Sequence, residues 1–208
     1  GSLQLVIRQM KQDGLGNLFL EFEKRKQDLL KAGYFSEDHK KSKPEYIENI
    51  GVITGANAAA LQDVLSTIQR RWPMMKVTLY PSLVQGNLAP KSLVQSLKKA
   101  DLCGHDALLI VRGGGSFEDL FCFNDVELVK TIYDLNTYIV SGVGHEVDTT
   151  LCDLVCDHRS VTPTAAAQWV SIDQNEVMAK IIKDKVLLSR NMSIILDQYR
   201  SKLNLYQN

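Results

Sequence analysis

Short apolar runs alternate with stretches of helical spacing along the middle of the chain. Four runs have the length and apolar content of buried strands, at 50–54, 77–80, 107–111 and 138–143. Between them, apolar residues recur every three or four positions and predict helices over 57–71, 90–102 and 118–135, the last with a candidate break near Asn124. Strands alternating with helices imply a parallel sheet. We therefore predict an α/β fold, a flavodoxin/Rossmann-like parallel sheet of about four strands with helices on both faces.

The pattern changes beyond residue 162. Thr162 suits a helix N-cap, and Pro163 suits the first helical position. Over 171–208, apolar residues recur at spacings of three, four or seven with no glycine or proline, which predicts a long helix with an apolar seam. Such a seam needs a partner helix. Because no capping signal ends the helix, we expect the natural chain to continue.

The first 47 residues predict a connecting segment with one helix. A weak strand pattern at 3–7 and a turn at 14–16 precede a helix whose inward face carries Leu18, Phe22, Leu29 and Leu30. A polar, lysine-rich stretch at 37–45 then predicts an exposed connection. The predicted division is a connecting segment and helix at 1–47, an α/β catalytic domain at 48–170, and the start of a long helical, coiled-coil arm at 171–208.

Composition narrows the class of protein. Hydrophobic residues make up 45% and charged residues 23%, which is ordinary for a globular protein, and the formal net charge is +0. A nucleic-acid site must therefore depend on a local basic patch. No apolar run is long enough to span a bilayer and no signal peptide is visible, so we expect a cytoplasmic protein with no membrane partner. Four cysteines without CxxC spacing predict reduced thiols, although Cys152 and Cys156, four residues apart, leave a metal site as the less favoured alternative.

The strongest chemical signal follows the third strand. Three consecutive glycines free the backbone to direct several N–H groups at one anion. The serine after them can cap a helix, whose N-terminus favours negative charge, and the arginine before them offers a planar fork for phosphate oxygens. The predicted phosphate ligands are Arg112, Gly113, Gly114, Gly115 and Ser116. The alternative for this glycine run is a flexible loop without a ligand. Glu118 lies in the first helical turn, where a structural role with the helix dipole explains it as well as a supporting role in catalysis.

A second signal follows the fourth strand, where Gly144 precedes His145 and Asp148 lies about one helical turn further on. Ligands of open α/β sheets bind beyond the carboxyl ends of the strands. We therefore expect both side chains to face one pocket. The alternative is a helix-capping turn with an incidental surface histidine.

The helix after the first strand adds Asp63, which is either buried for chemistry or paired with an arginine. The ends of strands one, three and four thus supply four candidates, Asp63, Arg112, His145 and Asp148. Histidine and carboxylates transfer protons, and an arginine with backbone amides stabilises negative charge. This combination fits hydrolysis of a phosphodiester.

Several motifs, in this order, resemble the exodeoxyribonuclease VII large subunit family. They are 112–120 (RGGGSFEDL), 123–124 (FN), 144–148 (GHEVD) followed by Asp153, and 162–166 (TPTAA). The resemblance covers nearly the whole chain. Gly55 and Ala58 replace the usual serine and glycine, so we expect the first loop to differ in shape, and Val111 replaces a glycine.

The resemblance implies an exonuclease that degrades single-stranded DNA from either end to oligonucleotides. It further implies an N-terminal OB-fold, a catalytic domain, and long C-terminal helices that bear many small subunits. The family's essential residues match the four candidates above, and Thr162 joins the predicted DNA-binding residues.

By resemblance the family needs no added metal. Asp63, Asp148 and Asp153 could nevertheless hold Mg²⁺, which prefers carboxylate oxygens, and Asp153 is otherwise a candidate to orient His145. We also expect the long helix to mediate self-association. The alternative function is a non-catalytic phosphate- or nucleic-acid-binding scaffold that anchors small subunits through this helix.

Overall fold

A computed structural model describes residues 14–115, 117–143 and 149–207. Its centre is a five-stranded sheet in the order β2-β1-β3-β4-β5, and every neighbouring pair is parallel. The strands are β1 (Asn49–Thr54), β2 (Lys76–Pro81), β3 (Ala107–Arg112), β4 (Tyr138–Val143) and β5 (His158–Arg159). This order is the flavodoxin-like arrangement, whose switch point lies between β1 and β3.

Eight α-helices accompany the strands in the described part of the chain. They are α1 (Gly14–Lys31), α2 (Ala59–Arg71), α3 (Ala89–Asp101), α4 (Phe117–Leu120), α5 (Val126–Asp134), α6 (Leu151–Val155), α7 (Pro163–Val170) and α8 (Gln174–Gln207). Two 3₁₀ turns occupy Glu37–His39 and Phe121–Asn124. The predicted fold class is confirmed, with helices on both faces of the sheet and a long C-terminal helix.

Two apolar layers cover the sheet. Side chains from α2 and α7 pack with Ile50, Val52 and Leu109 on one face, while α1, α3, α5 and α6 pack with Leu108 and Ile110 on the other. The alternation within β3 follows from the strand's two-residue side-chain period. Burial on both faces explains why the central strands β1, β3 and β4 are nearly continuous apolar runs, whereas the edge strand β2 is partly exposed.

The sheet has no room for a side chain at Gly51. A Cβ there would lie 2.6 Å from Leu108 Cδ2 and 3.1 Å from both Tyr80 Cε2 and His105 Cδ2. His105 is itself held by Tyr80, whose hydroxyl lies 2.7 Å from Nε2, and by Asn49, whose Oδ1 lies 3.0 Å from Nδ1. Glycine in β1 therefore lets the neighbouring strands and His105 pack closely.

The N-terminal part departs from the sequence prediction in two ways. The predicted turn at 14–16 is wrong, because α1 already begins at Gly14. Leu30, predicted to face inward, is 54% exposed, whereas Phe22 and Leu29 are buried in the core. The connection at 37–45 has no buried residue, as predicted, and it is attached to the domain by the backbone N–H of Lys41, which donates to Asp157 Oδ1 at 2.7 Å.

The candidate break near Asn124 in the helix predicted over 118–135 is confirmed. The segment is divided into α4, a 3₁₀ turn and α5, because Asp125 caps α5 by accepting from the N–H groups of Glu127 and Leu128. The fifth strand was not predicted, because its two residues are too few to show a period. The predicted strand at 3–7 lies outside the described residues, and the predicted three-part division stays a prediction.

Helix α8 contrasts with the rest of the fold. It is 34 residues long, and from Met178 to Asn204 every residue is exposed. Its apolar residues include Ile181, Leu188 and Leu203, which are 56%, 70% and 62% exposed. Among the described helices, none combines the length and the apolar character needed to cross a bilayer.

Candidate active site

Arg112 ends β3 beside the switch point, and its Cα pairs with that of Val143 at the end of β4. Only 6% of the residue is exposed. Nη2 lies 3.3 Å from Asp119 Oδ2 on α4, whereas Nη1 has no hydrogen-bond partner among the described residues. Because buried polar groups in folded proteins are normally paired, this nitrogen indicates a place where a ligand oxygen can bind.

The glycine run packs against this guanidinium. A Cβ at Gly115 would overlap the Arg112 side chain, whereas Gly113 has open space around its Cα. None of Gly113, Gly114 and Gly115 adopts a positive φ. The structure therefore explains glycine at 115 by close approach to the arginine, and not by an unusual backbone conformation.

The two acidic residues of α4 have different surroundings. Asp119 is paired with Arg112, while Glu118 is exposed. Glu118 was a predicted supporting residue, whereas the pairing of Asp119 with the arginine was not predicted. A spacing of seven residues across a glycine loop gives no periodic signal that would have predicted this ion pair.

The predicted residues Ser116, His145 and Asp148 lie outside the described residues. The chain on either side of 144–148 is described. It leaves β4 at Val143, whose Cα pairs with that of Arg112, and enters α6 through its N-cap Thr150. The structure thus brings Arg112 next to the point where the His145 segment begins.

Asp153 is buried and fully engaged by its neighbours. Oδ1 accepts from the hydroxyl of Ser141 on β4, and Oδ2 accepts from the N–H and the hydroxyl of Thr150, each at 2.8 Å. Burial raises the pKa of the Asp153 carboxyl, and the hydrogen bonds from Ser141 and Thr150 oppose that rise. These contacts hold the first turn of α6 against the end of β4.

The Thr150 and Asp153 pair forms a capping box, because the Asp153 N–H also donates to Thr150 Oγ1 at 3.2 Å. This capping box was not predicted, although the three-residue spacing is the usual signal. Asn124 was predicted as a helix break and as part of a family motif, but its contacts were not: its Oδ1 accepts from Leu151 N at 2.8 Å, and its carbonyl accepts from Arg25 at 2.7 Å. Asn124 therefore joins α1 and α6 at this edge of the sheet.

Asp63 lies on the exposed side of α2 and makes no ion pair with the residues that the structure describes. Arg112 follows Ile110 in the strand alternation, so its side chain belongs to the face opposite α2. The structure does not bring Asp63 and Arg112 into contact. The catalytic role of Asp63 stays a prediction.

Thr162 is confirmed as the N-cap of α7, since its Oγ1 accepts from Ala165 N at 3.0 Å. Its carbonyl oxygen lies close to Gly142, where a Cβ would be 3.1 Å from that oxygen and 2.9 Å from the Ala166 Cβ. The hydroxyl thus has a structural task, and its role in DNA binding stays a prediction.

The cysteines at 152 and 156 belong to the apolar core. Their sulfurs lie 3.9 Å apart, and both residues are buried. The hydrogen bond with Cys156, together with burial, raises the pKa of the Cys152 thiol. Within the described ranges, no group of three potential ligands from histidine, cysteine and acidic residues surrounds a common point.

These features define the class of protein. It is a flavodoxin-like α/β domain with a buried arginine at the sheet edge, one of whose nitrogens has no hydrogen-bond partner among the described residues. This arginine lies beside the start of the segment that carries His145. Comparison with known proteins defines the family.

A family model described as "Exonuclease VII, large subunit" matches residues 34–208. The chain is 43% identical over 204 residues to an Exodeoxyribonuclease 7 large subunit of Oceanobacillus iheyensis, covering 98% of this chain and 45% of the relative. It is 38% identical over 208 residues to one of Clostridium botulinum, covering 100% of this chain and 52% of the relative. The chain belongs to the exonuclease VII large subunit family, as the motifs indicated, and it spans about half the length of these relatives.

Proposed function

We propose that this chain is the catalytic domain of an exodeoxyribonuclease VII large subunit, hydrolysing phosphodiester bonds of single-stranded DNA from either end to oligonucleotides. The observation that carries the proposal is the buried Arg112, whose Nη1 lacks a partner among the described residues at the ligand-binding edge of the sheet. A guanidinium with one nitrogen fixed by Asp119 and the other open is suited to a phosphate oxygen.

In the proposed reaction, Arg112 and the amides of the glycine run bind the non-bridging oxygens of the scissile phosphate. Water attacks phosphorus, and the bond to the leaving nucleoside oxygen breaks. His145 accepts the proton of the attacking water or supplies one to the leaving oxygen. Arg112 stabilises the negative charge that increases on the phosphate as the reaction proceeds.

Asp148 is the better candidate to orient His145. Both oxygens of Asp153 already accept hydrogen bonds from Ser141 and Thr150. We therefore propose that Asp153 positions the segment that follows β4. Asp63 remains a candidate second acid or base, or a residue that contacts DNA from the exposed side of α2.

We propose that the reaction needs no added metal, as the family resemblance implies. The engaged oxygens of Asp153 make it a poor Mg²⁺ ligand, so a metal in this protein would depend on Asp63 and Asp148. Activity that persists in excess chelator supports the metal-free proposal, and activity that requires added Mg²⁺ contradicts it.

We further propose a cytoplasmic enzyme whose α8 binds small subunits. The large exposed area of isoleucine, leucine and valine on this helix supports a protein partner, because contiguous apolar patches mark interaction surfaces. Self-association of the isolated chain through 181–206 would use the same seam.

The direct test is a nuclease assay on the full-length large subunit assembled with its small subunits. Oligonucleotides labelled at the 5′ or the 3′ end are supplied as single strands and as duplexes. We expect short oligonucleotide products from either label and only on single strands. DNA binding without cleavage would instead support the alternative, a phosphate-binding scaffold that anchors small subunits.

A further inference from the structure

A cavity of about 440 Å³ opens beside the arginine site, on the same face of the sheet. It lies between α1, the start of α3 and the 3₁₀ turn at Phe121–Asn124. Its volume is within the range of pockets that enclose a drug-sized ligand. The proposed reaction uses none of the residues that line this cavity, so the cavity needs a separate explanation.

The cavity is connected to Arg112 through α4. Cys122 lines the cavity, and its thiol lies within hydrogen-bonding range of the carbonyl of Asp119, the residue that pairs with Arg112. Burial raises the pKa of Cys122 to about 11, whereas the charge of Arg112 lowers it. The thiol is therefore protonated at neutral pH. The short helix α4, which carries both Glu118 of the cavity and Asp119, separates the cavity from the phosphate site.

One wall of the cavity is formed by Arg25 of α1 and by Phe121. The guanidinium of Arg25 lies over the Phe121 ring, 5.3 Å from its centroid. Nη1 donates to the carbonyl of Asn124 at 2.7 Å, and Nη2 donates to Glu21 Oε1 at 2.5 Å. Nucleic-acid bases stack on both aromatic rings and arginine guanidinium planes, so this pair offers a fixed platform for one base.

The charge of the lining indicates which part of a nucleotide enters. Arg25 is already paired with Glu21, and the carboxylates of Glu118 and Asp125 also line the cavity. A phosphate would be repelled there, whereas an uncharged base would not. Leu18 and Pro90 supply apolar contacts, and the exposed amide of Asn87 can donate to or accept from a base edge.

We propose that this cavity binds the unpaired base of a nucleotide adjoining the scissile phosphate, with Phe121 and Arg25 as its stacking platform. The inference rests on the proposed function, because it takes the strand held at Arg112 as the source of the base. A base must leave its stack to enter the cavity, and a paired base would first have to be unpaired. This requirement would explain why the enzyme acts on single strands.

The test is a cycle between abasic substitutions and Phe121→Ala. Binding of a short single-stranded oligonucleotide to the full-length large subunit assembled with its small subunits is measured by fluorescence anisotropy in a His145→Ala background, with each base removed in turn. We expect one position to lose about tenfold in affinity, within the range measured for base–aromatic stacking. In Phe121→Ala that loss should disappear. Phe19→Ala, which removes a ring of α1 that is 55% exposed and outside the cavity, should retain it.

An abasic penalty that is equal in the parent and in Phe121→Ala would overturn the proposal, as would the lack of any penalty. Should Phe121→Ala fail to fold, 5-iododeoxyuridine at the sensitive position of the unchanged chain should crosslink to a peptide that contains Arg25, Asn87 or Phe121. A crosslink confined to other peptides would overturn the proposal.

Arg112→Ala separates this inference from the proposed function. If Arg112→Ala weakens binding of every oligonucleotide but no coupling to Phe121 is found, the cavity proposal fails and the phosphate site stands. If the coupling is found but Arg112→Ala has no effect on binding, the cavity is supported and the proposed function fails.

Discussion

The same apolar residue types have opposite surroundings in the sheet and in α8. Leu108 and Leu109 in β3 are 0% exposed, whereas Leu187 and Leu188 in α8 are 45% and 70% exposed. The sheet residues are covered by helices on two faces, and the helix residues are covered by nothing in the described part of the chain. Apolar character alone therefore does not determine burial, which requires a partner surface.

The sheet domain and α8 therefore differ in function. The sheet domain buries its apolar residues within the chain and presents its polar chemistry at one edge, around Arg112. Helix α8 exposes apolar side chains to solvent along its length. Exposed apolar surface of this kind is typical of a site that binds another protein. A substitution in one of these two regions should leave the properties of the other unchanged.

The largest effect is expected for His145→Ala in the assembled enzyme. Removing a positioned proton-transfer group should lower the cleavage rate by about 10²–10⁴. Association through α8 should be unchanged, because the substitution lies in the sheet domain. Cleavage of end-labelled single-stranded DNA measures the rate, and Lys185→Ala on α8 is the control that should keep it. A parental rate for His145→Ala would contradict the assigned role.

The comparison is tested most directly by one substitution made in both regions. Leu108→Ala removes a fully buried side chain and should lower the free energy of unfolding by about 2–5 kcal/mol. Leu188→Ala removes a side chain that is 70% exposed and should change it by less than about 0.5 kcal/mol in the monomer. Urea denaturation at low protein concentration measures both. Equal losses would mean that α8 is buried against the domain in solution.

The next largest effect is expected for the cleavage rate of Arg112→Lys. Lysine retains the charge but loses the planar fork, whose two nitrogens can bind Asp119 and a phosphate oxygen in a fixed geometry. We expect cleavage to fall by about 10²-fold, comparable to the loss of one transition-state donor. Steady-state kinetics should show the loss mainly in kcat. Near-normal turnover would reduce Arg112 to a general electrostatic contribution.

The sequence predicted the sheet well because its signals are long and repeated. Four of the five strands were predicted from short, mostly apolar runs of four to six residues, and the cap at Thr162 was predicted from capping chemistry. The strand β5 was missed because two residues are too few to show a periodic pattern. It is defined only by its pairing with Val140 and Ser141, which are distant in sequence. Leu30 was misassigned because helical spacing does not say how wide the covered face is.

The site was predicted less completely. Arg112 was selected from its neighbours in sequence, yet its ion pair with Asp119 and the burial of Asp153 depend on contacts between elements that sequence spacing does not encode. Convergence of all four candidates in one pocket stays a prediction. Asp63 lies exposed on α2, and His145 and Asp148 lie outside the described residues.

A smaller change is expected from a charge in the apolar seam of α8. The isolated chain should self-associate through 181–206 and bind single-stranded DNA weakly, since by family resemblance an OB-fold supplies much of the DNA contact. Ile181→Asp, at a position 56% exposed, should lower self-association without altering the unfolding midpoint of the monomer. Light scattering over a concentration series measures this. A parental chain that is strictly monomeric would contradict the assigned seam.

The smallest expected effect is a pH dependence confined to the sheet domain. Burial lowers the pKa of His105 below its ordinary value of 6.5, and the nearby charge of Asp106 opposes this. The unfolded chain then binds a proton more readily than the folded one. Stability from this residue is therefore complete above about pH 6.5 and is lost as the pH falls from there towards the folded pKa.

Helix α8 contains no histidine, so it has no side chain with an ordinary pKa between 5 and 8. Urea denaturation of the parent between pH 5 and 8 should show a decline on the acid side. His105→Gln, which cannot titrate in this range, should show a weaker decline, although it is less stable at pH 8 because the contacts with Tyr80 and Asn49 are altered. The concentration dependence of self-association through α8 should be the same at pH 5.5 and pH 7.5 in both chains. An acid decline of equal slope in parent and His105→Gln would assign the pH dependence to other groups. A pH-dependent association would mean that the two regions are coupled.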